Sequence, residues 1–90
     1  RRVNKQMRSL LLFGERKGSY VETITLKLKL LRVLNLIGIQ FVSSELPDVI
    51  GGLIHLRYLG IANTYIINIP AFISNLQFLQ TLDASGCFFP

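Results

Sequence analysis

Ninety residues, half of them hydrophobic and 17% charged, make one small domain or a piece of a larger one, with more apolar surface than such a chain hides by itself. One cysteine excludes an internal disulfide, and with no Asn-x-Ser/Thr sequon present the composition fits a reducing compartment. The longest uncharged run, Tyr58 to Leu82, is interrupted by Asn63, Thr64, Asn68, Pro70 and Asn75, which excludes a membrane span there.

The net charge of +5 is unevenly placed. Nine of the ten Lys and Arg residues lie in the first 32 positions against Glu15 and Glu22, whereas Arg57 alone faces Glu45, Asp48 and Asp83 afterwards. A basic end of this kind suits an acidic partner surface, and equally a solvated face that keeps an apolar chain in solution. The opening on Arg1-Arg2 without methionine reads as a fragment.

In chain order, the first apolar phrase is "MRSLLLF", with Met7, Leu10 and Leu12 inward and Ser9, Leu11 and Phe13 outward. Gly14 to Leu26 has no clear period and is expected to be a loop, with a helical turn near Val21 to Leu26. Leu28, Leu31, Leu34 and Leu36 then step by three, three and two, and so do Leu53, Leu56, Leu59 and Ile61 in "LIHLRYLGI". Leu76, Leu79, Leu82 and Ala84 repeat the same steps. The central leucines Leu10, Leu34, Leu59 and Leu82 are 24, 25 and 23 residues apart. Between them a second phrase recurs: "ELPDVIGGL" at 45 to 53 matches "NIPAFISNL" at 68 to 76. Two submotifs sharing one period are the mark of a repeat array.

The pattern is L-x-x-L-x-L-x-x-N/C/T-x-L, the leucine-rich repeat. It predicts an α/β leucine-rich repeat solenoid, right-handed, with short parallel strands on a concave face and irregular or short helical convex segments. Residues 1–90 would hold about four repeats of such a domain. The step of two marks the strand, and the step of three a turn or short helix leading into it. Thr64 and Cys87 take the polar position after the strand, where a side chain bonds to exposed turn backbone; Ile39 cannot, so its copy is expected to bulge. Terminal repeats need caps, so the isolated chain is expected to be poorly soluble or partly unfolded.

Chemistry is sparse. His55 has no carboxylate placed to orient it, Cys87 fills a structural place in the repeat, and the carboxylates are unpaired. "IGGL" lacks the lysine of a phosphate loop, and neither metal-ligand spacing nor the aromatic interleaving of a nucleic-acid platform appears. The expectations are therefore no catalytic residue, no cofactor, no metal and no nucleic-acid partner.

What remains is a surface. Outward strand positions form columns across the repeats: Val33, Asn35 and Ile37, then Tyr58, Gly60 and Ala62, then Thr81, Asp83 and Ser85. These make the candidate concave interaction surface for a protein partner. Ser9, Leu11 and Phe13 precede them, and the first two rows are apolar enough to suggest a covered interface.

"MRSLLLFG", "LKLLRVLNLIGI" and "ELPDVIGGLIHLRYLGIANTYIINIPAFISNLQFLQTLD" together resemble the start of the leucine-rich repeat region of plant intracellular nucleotide-binding immune receptors with an N-terminal coiled coil. The resemblance runs from about Val3 to Asp83, and "LP-x-x-IG-x-L-x-HLRYL" is its most specific phrase. It implies a cytoplasmic protein-interaction module that shares in recognising pathogen effectors or guarded host proteins and contacts the receptor's own nucleotide-binding domain to hold it off. Arg8, Leu11, Phe13, Lys27, Lys29 and Arg32 would then face that neighbouring domain. The family's ATP-binding motifs lie outside these residues, so no ATP site is carried over. Ile39, Ala84 and "NIP" in place of Leu-Pro depart from the family pattern. A generic leucine-rich repeat adaptor is the alternative, distinguished by the absence of an upstream phosphate-binding loop.

Overall fold

The computed structural model describes residues 6–13, 27–39 and 45–87. The expected loop and helical turn between Gly14 and Leu26 lie outside the described residues, as do the side chains of Leu12 and Phe13. Four strands, β1 (Ser9–Phe13), β2 (Val33–Ile37), β3 (Tyr58–Gly60) and β4 (Thr81–Asp83), form one sheet in sequence order. Every pair is parallel, and Leu10, Leu34, Leu59 and Leu82 lie side by side across it. The sheet is therefore built by a chain that returns to the same side after each strand.

The return explains the change of step. Pro47 opens a 3₁₀ helix at Asp48–Gly52, and Pro70 opens another at Ala71–Asn75. Proline suits that place because its fixed φ is pre-set and its missing N–H would have no partner there. Bonds from Ile50 N to Pro47 O (3.1 Å), Leu53 N to Ile50 O (3.0 Å) and Leu56 N to Leu53 O (3.1 Å) make three consecutive tight turns. A 3₁₀ turn holds three residues, so Ile50, Leu53 and Leu56 point the same way. At Tyr58 the backbone extends, and the period drops to two for Leu59 and Ile61. The fourth coil repeats these bonds at Ile73, Leu76 and Leu79, with 3.2, 3.0 and 3.1 Å.

Inward side chains of the coils merge into one core. Leu28, Leu31, Leu34, Leu36, Leu53, Leu56, Leu59, Ile61 and Ile66 are fully buried, whereas Leu79, Leu82 and Ala84 on the β4 side are only partly covered. Among the described residues the expected bulge beside Ile39 is absent: β2 stays in register with β1 and β3, and Ile39 is buried in the core. An isoleucine at the ladder position gives up a hydrogen bond but gains apolar burial, and Gly38 N still donates to Ala62 O at 3.0 Å.

Candidate interaction face

One face of the sheet is filled by the core, and the other stays open. The first open-face column is Ser9, Val33, Tyr58 and Thr81, and the second is Leu11, Asn35, Gly60 and Asp83. Ile37, Ala62 and Ser85 continue the third, because Gly38 N bonds to Ala62 O and Asn63 N to Ser85 O at 3.0 Å each. Leu11, Val33 and Ile37 are exposed large apolar side chains, at 55%, 36% and 38%. That placement brings most of the sequence-derived surface residues onto one face.

Two of them are not available as expected. Gly60 and Ala62 are buried on the open face. For Gly60 the cause is lateral: Asn35 lays its amide over it, where an added Cβ would collide with Asn35 Oδ1 and sit 2.9 Å from its Cγ. A side chain at position 60 would push Asn35 away, so the glycine is what lets the amide lie flat. Asn35 Oδ1 is buried there without a hydrogen-bond partner, a cost of about 1–3 kcal/mol.

Further along the face, Tyr58 OH donates to Asp83 Oδ2 at 3.4 Å, and Ser85 donates to Asp83 Oδ1 from its backbone N (3.0 Å) and its Oγ (2.5 Å). The Ser85 hydroxyl, then its amide and last the Tyr58 hydroxyl hold the Asp83 carboxyl below its ordinary value of 3.8, against the opposing effect of desolvation. A lowered native value contributes stability above the unfolded value, and that contribution is lost as pH falls through the native one. Ser85→Ala should therefore bring the Asp83 titration, followed by carboxyl NMR, closer to 3.8. An unmoved midpoint would show that the Ser85 hydroxyl is not the cause.

Behind the face, Thr64 is fully buried and its hydroxyl donates to Ile61 O at 2.7 Å. Cys87, half-buried, donates its thiol to the same oxygen at 3.1 Å. The polar position thus satisfies turn backbone from two coils at once. His55 is exposed, and among the described residues no three His, Cys, Asp or Glu side chains cluster as a metal site would need.

Tandem parallel rungs with this spacing and a polar ladder define the repeat. The family model for a leucine-rich repeat region matches residues 6–89. The chain belongs to that family. It is 69% identical over 93 residues to the putative disease resistance RPP13-like protein 2 of Arabidopsis thaliana, and 69% over 91 residues to RPP13-like protein 3 of that plant. Each match covers 96% of this chain and 11% of the relative. Disease resistance protein RPP13, also of Arabidopsis thaliana, is 50% identical over 95 residues, covering 99% of the chain and 10% of its own length. The likeness to the repeat region of plant disease-resistance proteins is thus shown, and the chain spans about a tenth of the length of these relatives. Among the described residues no helix is long and apolar enough to cross a membrane.

The sequence did not point to the turn residues that end each strand. Gly38, Asn63 and Gly86 share one repeat position and all have positive φ, at 76°, 57° and 75°. The signal was present as "IGI", "ANT" and "SGC", since Gly and Asn tolerate that conformation.

Proposed function

We propose that the chain is a non-catalytic interaction module of a cytoplasmic plant immune receptor, four coils of a right-handed solenoid whose open sheet face is the concave surface. The apolar first rows, with Arg8, Leu11, Phe13, Lys27, Lys29 and Arg32, contact the receptor's own nucleotide-binding domain and restrain it. Tyr58, Thr81, Asp83 and Ser85 lie nearer the surface that reads a pathogen effector or guarded host protein. The observation that carries this reading is the run of exposed Leu11, Val33 and Ile37 on a sheet face whose other side is already packed. Uncovered aliphatic side chains in adjacent rows are costly in water and favour a partner. The resistance-protein names of the relatives favour a receptor over a generic adaptor.

The test uses the receptor that contains this chain. Val33→Ser with Ile37→Ser should weaken capture of the nucleotide-binding domain, expressed as a separate chain, by more than about tenfold, since burying each side chain is worth roughly 1.5–3 kcal/mol. It should also release the receptor into constitutive signalling. Unchanged capture and a silent receptor would overturn the reading.

A further inference from the structure

We infer that Arg8, Arg32 and Arg57 form a single docking column for an acidic helical face of a protein partner. The inference rests on the interaction-module reading and names the chemistry of one partner. The three arginines occupy the same place in successive coils, just before each strand, and the backbone fixes them there with a repeated pair of bonds. Arg8 O accepts from Arg32 N (2.7 Å) and Val33 N (3.0 Å); Arg32 O accepts from Arg57 N (2.8 Å) and Tyr58 N (3.1 Å). Arg57 O in turn accepts from Gln80 N (2.8 Å) and Thr81 N (3.1 Å), which ends the column on a neutral residue. By linear charge Arg57 belongs to the acidic part of the chain; by register it completes the basic column.

All three side chains are exposed, and none forms an ion pair with a described carboxylate. Adjacent strands hold them about 4.8 Å apart, where like charges directly opposite one another repel. Lys27 and Lys29, on the same coil as Arg32, are exposed too and add positive charge there. The column therefore carries an electrostatic cost that an external set of carboxylates removes. Residues three and four apart on a helix have Cβ atoms about 5–6 Å apart, close to the rung spacing. Same-face residues of an extended segment are roughly 6.6 Å apart and fall out of step with it. An acidic helix is the better match.

The test is fluorescence anisotropy of the whole repeat region that contains this chain with a labelled helical peptide carrying glutamate at every fourth residue. Controls are a peptide of identical composition broken by proline and a single-stranded oligonucleotide of equal charge. Replacing Arg8, Arg32 and Arg57 together by glutamine should weaken helix binding by about tenfold, with unchanged circular dichroism. Arg57→Gln alone should lose part of it, and Arg57→Lys should regain most. Binding by the triple variant equal to wild type, or a broken peptide or oligonucleotide bound as tightly as the helix, would overturn the proposal. The Val33 and Ile37 serines lie outside the column and should leave peptide binding within about twofold. Arg57 is not among the residues assigned to the domain contact, so loss of peptide binding by Arg57→Gln with domain capture intact, or loss of capture by the serine pair with peptide binding intact, separates the two readings.

Discussion

Leu59→Ala, made in the whole repeat region that contains this chain, should lower its stability by about 3 kcal/mol, within the roughly 2–5 kcal/mol range for buried leucines. Leu59 is fully buried, sits in the third rung, and is flanked across the sheet by Leu34 and Leu82. Its removal takes contacts from two neighbouring coils at once, and parallel strands with fixed hydrogen-bond spacing cannot close in to fill the hole. In an array each coil is held by its neighbours alone, so a defect at a middle rung uncouples both sides. Urea unfolding followed by circular dichroism is the measurement. Val33→Ala is the control: it is exposed on the open face of β2 and should change stability by less than about 0.5 kcal/mol. A loss below about 1 kcal/mol at Leu59 would contradict a shared core.

The core was legible in the sequence because burial along one coil is periodic. Leu53, Leu56, Leu59 and Ile61 declare themselves by spacing, and all four are fully buried. The nature of the period-three segment was half legible. Pro47 and Pro70 announced a break from the strand, but consecutive 3₁₀ turns leave the same spacing as any three-residue turn. Lateral relations were not legible at all. Asn35 covering Gly60 depends on a neighbour 25 residues along the chain, as does the placement of Arg57 beside Arg32. A repeat alignment contains those pairs, yet it does not say which side chain leans over which. The absent bulge at Ile39 has a similar origin. The polar-ladder rule treats one coil alone, whereas the ladder bond from Gly38 to Ala62 is supplied by the next.

Gly86→Val should cost about 1–3 kcal/mol, the strain of holding a non-glycine residue in a sparsely allowed backbone region. At φ +75° a β-branched residue is at its worst, and a Cβ there would also collide with Asn63 Oδ1 of the preceding coil. The two effects have separate tests. Gly86→Asn keeps a residue type that tolerates this backbone while still adding a Cβ, so it isolates the collision. Asn63→Gly removes the obstructing amide while keeping φ accessible, and by itself should shift stability by less than about 0.5 kcal/mol. Combined with Gly86→Val it should recover the part of the loss due to collision and leave the backbone strain. Thermal melts of the four variants, made in the whole repeat region that contains this chain, give the coupling directly. If Gly86→Val alone melts with the wild type, the left-handed turn does not end the strand, and the column of Gly38, Asn63 and Gly86 has no role in setting where each coil turns back.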